Sequence, residues 1–236
     1  MAQKKRTWNY LANPGHVILI KKSIKEWNRW REDYRNIQPD LEEADLKGVD
    51  IRNADLKKAI FDGANLSGAN LQGADLGKAF FTEADLQGAN LNETDCRGVI
   101  FKSTKLRGSS FQKANLRKVD LSNLDLREVD FSEADLRKTN MRSSNLQEAR
   151  FFKSNLRDTL LSEANLAAAY LSSALMQGAH LQSANLNQAV LRYSMNLTSE
   201  QIQSAKIDRK TKVPNYLEIH WVSETEFSCE EKQSPQ

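Results

Sequence analysis

The chain has 236 residues, with 34 Lys+Arg against 31 Asp+Glu and a formal net charge of +3. One repeat domain with short ends fits that length, scarce Gly and Pro argue against long linkers, and two cysteines make no disulfide framework. The charge is uneven: residues 1–39 hold 9 Lys+Arg and 3 Asp+Glu, residues 40–195 hold 20 and 21, and residues 196–236 hold 5 and 7.

The chain opens on a basic stretch containing Trp8 and Tyr10. It lacks the apolar core of a signal peptide, and its longest early apolar run, Val17 to Ile20, is far too short to span a membrane. A soluble, cytoplasmic protein with reduced cysteines is expected. Asn13-Pro14-Gly15 signals a turn or a helix start. Val17, Ile20, Ile24, Trp27, Trp30 or Arg31, and Tyr34 then recur at helical spacing, with Lys21, Lys22, Lys25, Arg29 and Glu32 on the other face. The spacing predicts one amphipathic helix over 16–35. The first coil of a solenoid leaves unpaired backbone groups and an open apolar end. Trp27 and Trp30 are therefore read as capping residues, in preference to a membrane-surface role for the basic face.

From residue 41 the chain repeats in fives. A large apolar residue stands at every fifth position to 191, giving 31 centres that are Leu, Phe, Ile, Met or Cys96. Two residues before each centre is a small or β-branched residue, with Pro39 and Leu124 as exceptions. Residues two apart in an extended chain share a face, so centre and small residue point inward and the Asp or Asn between them points out. Five is odd, so the chain must turn once per unit, in the two polar positions after each centre. A 3.6-residue period cannot hold this spacing on one face.

Phe occupies centres 61, 81 and 101, then 111, 131 and 151. Two runs spaced by twenty imply four sides per coil and two aromatic stacks on opposite walls of the bore. At about 4.8 Å per coil the rod is roughly 37 Å long.

The register ends near 193–197. Thr198 and Gln201 form a capping-box pair before a short helix over 199–204. Ala205-Lys206-Ile207 echoes the repeat, and 214–221 is expected to fold over the last coil. The divisions read from the chain are 1–38, a basic segment with the capping helix; 39–195, the repeats; 196–222, a C-terminal cap; and 223–236, a disordered acidic tail in which Cys229 sits. Cys96 is expected in the core.

The units Ala44-Asp45-Leu46, Ala64-Asn65-Leu66, Ala134-Asp135-Leu136 and Ala184-Asn185-Leu186 resemble the pentapeptide-repeat family, whose motif is Ala-(Asp/Asn)-Leu-X-X. The resemblance implies an all-β solenoid: a right-handed, four-sided parallel β-helix with a side-chain-filled bore. The Trp-rich segment before the repeats is similar to that of cyanobacterial single-domain members, many without a biochemical role. It further implies a non-enzymatic scaffold that presents a rigid surface to a macromolecule, another protein or a second copy of itself. The alternative is a DNA mimic acting on a type II topoisomerase, as in the quinolone-resistance branch. The balanced charge of the repeats and the absence of an inserted loop weigh against that alternative.

Two surface features stand out. Lys57, Lys58, Lys78, Arg97, Arg117, Lys118, Arg137, Lys138 and Arg157 fall at one corner of the coil and stack into a basic ladder suited to an anionic partner. The alternative is a solvated corner whose charges pair with Asp95, Asp135 and Asp158. Ile60, Phe80 and Ile100, with Leu160 farther along, occupy outward positions elsewhere held by Asp or Asn, and read as an apolar interface. Phe152, Tyr170 and Val190 point outward on the opposite side. His16, His180 and His220 share no metal spacing, and no catalytic or phosphate-binding motif is present, so no cofactor, metal or small-molecule substrate is expected.

Overall fold

Each five-residue unit folds into one side of a square coil, and the corner explains the motif. After the centre Leu41 the chain reverses in a tight turn, closed by the Ala44 N–H donating to the Leu41 carbonyl at 3.1 Å. The third residue of that turn, Glu43, has φ 57°, as a type II turn requires. Every equivalent residue to Tyr193 is left-handed as well. Gly suits these places; at Gly73 a Cβ would collide with the Asn53 side chain. The outward Asp or Asn braces the turn, because its Oδ1 accepts the N–H two residues on, as Asp75 does from Gly77 at 3.1 Å.

In the computed structural model, which describes residues 13–232, parallel pairs link residues twenty apart, from Asp40 with Ile60 to Leu175 with Met195. Four sides per coil follow directly. All centres from Leu41 to Leu191 are buried. Phe61, Phe81 and Phe101 stack at 4.8 and 5.5 Å between ring centroids, as do Phe111, Phe131 and Phe151 at 5.6 and 5.3 Å. Phe101 and Phe111 meet edge-on at 6.1 Å, where the stack changes walls.

The inter-coil ladder is interrupted once. Among the described residues, the amides of Gly98, Phe101, Ser103, Leu106, Asp120 and Asp125 lack the bonds to the neighbouring coil that their equivalents make. Lys105 and Asp125 are not paired, whereas Asp85–Lys105 and Asp125–Asn145 are. Leu124 stands at this seam. It fills an inward position that is Ala84, Thr104 and Ser144 in nearby coils, and extra bulk at such a position acts as a wedge between coils. A depression of about 390 Å³ opens there, lined by residues that include Ile100, Phe101, Ser122 and Leu124.

The single helix expected over 16–35 is two helices, α1 (Pro14–Lys22) and α2 (Ile24–Asp33). Ser23 separates them. Its N–H bonds back to the Leu19 carbonyl, and its hydroxyl caps α2 by accepting from the Glu26 N–H. Trp8 and Tyr10 lie outside the described residues.

At the far end α3 (Ser199–Gln203) carries the capping box, with Thr198 and Gln201 bonding reciprocally. Gln201 also donates to the Met176 and Ala179 carbonyls at 3.0 and 2.7 Å. Lys206 and Lys212 pair with Asn185 and Val190, which extends the repeat ladder by one partial coil.

The expected disordered tail is corrected by a hairpin, in which β1 (Leu217–Trp221) pairs antiparallel with β2 (Phe227–Glu231). Leu217 and Cys229 are both buried, and Trp221 meets Phe227 at 5.5 Å. Cys229 lies at the centre of β2 and is buried, so this thiol does not sit in a polar tail. Residues 233–236 lie outside the described residues. No helix among the described residues is long and apolar enough to cross a membrane.

Candidate interaction surface

The first coil presents an unpaired backbone edge, and α2 lies along it. Trp27 is fully buried and its Nε1 donates to the Asp55 carbonyl at 2.9 Å. Asn28 bridges two residues, donating to the Asn53 carbonyl at 3.0 Å and accepting from the Asp55 N–H at 2.9 Å. Buried Arg31 donates to the Ile37 and Lys57 carbonyls at 2.8 and 3.1 Å, and Gln38 reaches the Lys58 carbonyl at 2.9 Å. Side chains thus stand where the next coil's backbone would. Trp30 is half-buried against Trp27, with ring centroids at 5.1 Å, and against His16 at 4.7 Å. His16 in turn accepts from the Asp40 N–H at 3.0 Å. Burial lowers the His16 pKa, which suits a ring that must stay neutral to accept.

The basic ladder divides in two. Lys57 pairs with Asp75 at 2.6 Å, Arg97 with Asp95 at 2.5 Å, and Arg137 with Asp135 at 2.5 Å, while Arg117 approaches Asp135 at 3.9 Å. The Arg97 hydrogen bond holds the Asp95 carboxyl below its usual range. The hydrogen bond to Asp75 raises Lys57. Burial pushes Asp135 up, but the Arg137 guanidinium and N–H outweigh it. Among the described residues Lys58, Lys78, Lys118, Lys138 and Arg157 make no ion pair. Outward aspartates thus absorb the first-corner cations as far as Arg137, whereas Arg157, which follows Asn155, and the second-corner lysines stay uncompensated among the described residues.

Charge is also banded along the axis. Residues 40–95 hold 5 Lys+Arg and 12 Asp+Glu, and residues 96–157 hold 14 and 7. Lys57, Lys58 and Lys78 therefore belong to an acidic stretch, and the ladder is not one uniform basic surface.

The apolar residues come together as their spacing implies. Ile60 pairs with Phe80 and Phe80 with Ile100 in successive coils. Phe80 is 36% exposed and Ile100 45%. Leu160 stands on the same side, beyond Asp120 and Asn140, and is not contiguous with them. An outward apolar residue forfeits the brace that Asp or Asn gives its corner, so the turn itself does not select it. Tyr170 and Val190 pair on the opposite side.

One juxtaposition was missed by reading the two features separately. The ladder's corner leads straight into the apolar side, as in Lys58-Ala59-Ile60 and Lys78-Ala79-Phe80. Lys58, Lys78 and Phe80 line one depression with Arg35 and Ile37, and Ile37 is 45% exposed. The sequence signal was the two-residue offset between the series. Across the strip, the other corner carries Glu42, Glu43, Asp62 and Glu83, and then Lys102 beside Ile100. Burial, then repulsion from Asp40, Asp62 and Glu43, raises the Glu42 carboxyl. Among the described residues no cluster of three His, Cys, Asp or Glu suits a metal.

Family models for pentapeptide repeats match residues 40–77 and 154–192, and a pentapeptide repeat region matches residues 74–151. A search of curated proteins finds no match. Among solved structures, a trypsin-treated form of QnrB1, a plasmid-mediated fluoroquinolone resistance protein, is similar at TM-score 0.55 and 19% identity, over 75% of this chain and 87% of that one. That likeness concerns the fold alone. HetL, a pentapeptide repeat protein involved in heterocyst differentiation regulation in the cyanobacterium Nostoc sp. strain PCC 7120, is 25% identical over 77% of this chain and 92% of its own, at TM-score 0.28. The family models cover more than half of the chain and rest on the stacked units described above, so this protein belongs to the pentapeptide-repeat family.

Proposed function

We propose that the protein is a non-enzymatic binding scaffold that holds a macromolecular partner, most simply another protein, against one side of a rigid rod. The observation that carries this reading is the joined surface of Ile37, Ile60, Phe80 and Ile100 with the unpaired Lys58 and Lys78. Apolar area bordered by free charge is the composition of an interface. The bore is closed by packed side chains, so recognition falls to the outer faces. A right-handed coil, the family's usual hand, accompanies this reading. A DNA mimic would need a continuous anionic rod, and the basic band over residues 96–157 interrupts one.

The test is affinity capture from native lysate, comparing wild type with two variants. Phe80→Asp with Ile100→Asp removes the strip. Replacing Arg97, Arg117, Arg137 and Arg157 by Glu reverses the first-corner ladder. A partner held by wild type and by the arginine variant, and lost from the Phe80/Ile100 variant, supports the joined surface. A partner lost only from the arginine variant refutes it in favour of the ladder.

A further inference from the structure

We propose that the joined surface takes an amphipathic α-helix of a partner protein, about three turns long, with carboxylates along one flank and Lys or Arg along the other. The proposal rests on the scaffold reading and specifies what the face recognises.

Spacing selects the element. Ile60, Phe80 and Ile100 repeat once per coil, at about 4.8 Å. A helix repeats an apolar residue every turn of about 5.4 Å, and a tilt of roughly 27° brings the two into step. An extended strand spaces same-face residues at about 6.7 Å and would need a crossing near 45°, which leaves room for only one or two contacts on so narrow a strip. A helix about 10 Å across also matches the strip between its two corners. A second rod fits less well. The contiguous strip ends at Ile100, so face-to-face rods would bury far less than the roughly 800 Å² per partner of a stable interface.

Charge selects the flanks. Lys58 and Lys78 border the strip on one side beside Ile60 and Phe80, while Glu43, Asp62 and Glu83 border it on the other, which turns basic only at Lys102 beside Ile100. Among the described residues none of these six charged residues makes an ion pair. A helix with like charge on both flanks would gain on one edge and be repelled on the other. An asymmetric helix gains on both and can lie in only one direction.

Three synthetic helical peptides test this. They share one apolar face and carry Glu/Lys, Glu/Glu or Lys/Lys flanks; fluorescence anisotropy reads binding and circular dichroism reads helix gained. The Glu/Lys peptide is expected to bind wild type at least about tenfold tighter than either symmetric one. Lys58→Glu with Lys78→Glu makes both edges acidic and should transfer the preference to Lys/Lys. Equal affinity for all three, no binding by any, or binding without helix gain overturns the inference. Each of those results leaves the capture experiment free to succeed, in which case the face is used by a different element.

Discussion

Replacing Leu124 by Ala should close the seam between two coils. If Leu124 is a wedge, removing it lets the lifted coil settle, and the amides of Gly98, Phe101, Ser103, Leu106, Asp120 and Asp125 regain carbonyl partners. Each inter-coil bond is worth about 0.5–1.5 kcal/mol net, so these six together offer roughly 3–9 kcal/mol. Against that stands a large-to-small core substitution, which typically costs about 2–5 kcal/mol. The two ranges overlap, so thermal stability is a poor readout. Amide hydrogen exchange is a good one. A gain of about 1.4 kcal/mol per bond slows exchange tenfold, and the slowing should be confined to those amides. Leu126 and its already bonded neighbours serve as internal reference. Unchanged exchange at the seam with a loss of several kcal/mol in stability would refute the wedge. The seam would then belong to the edge-on crossing of Phe101 and Phe111.

Leu126→Asp places a charge in the closed bore and should lower the unfolding midpoint severely in a thermal melt; a wild-type melt would contradict the inward assignment. Both thiols should resist alkylation in the native state, since burial raises Cys96 to about 12 and Cys229 to about 11. Fast labelling of Cys229 alone would mean that the hairpin leaves the rod. The neutral form of His16 accepts from Asp40, and burial holds its pKa below the ordinary 6.5. Its contribution to docking α1 is therefore present above pH 6.5 and lost as pH falls through the lowered folded value. Trp fluorescence should report a transition there that His16→Gln removes; an unchanged transition would assign it to another group.

The solenoid was legible because its determinant is local and redundant. Every unit from Leu41 to Leu191 states the same alternation, so no single residue decides the fold. The two Phe runs even gave the number of sides and the wall switch. The failures fall where one residue decides. Ser23 with Glu26 is a capping pair inside an apolar period, and it split a helix that periodicity alone joined. Phe227 and Cys229 share a face within a polar acidic stretch whose composition masked a strand. The seam needed three dimensions, because Leu124 looks like a conservative apolar exception until it is placed between Thr104 and Ser144. On the surface, side and spacing could be read from residue number, but which cations are neutralised could not. Lys57 and Lys58 are adjacent in sequence, and one is paired while the other is free.

Because each unit turns the chain through a quarter of a revolution, residue count here acts as an angular coordinate. Deleting one unit between Ile60 and Phe80 would rotate everything downstream by a quarter turn and part the two, though every local contact could re-form. Deleting twenty residues would shorten the rod and leave every face aligned. Length change in such a chain is thus quantised by its recognition surfaces: the fold accepts steps of five, and a binding face that crosses several coils accepts only steps of twenty.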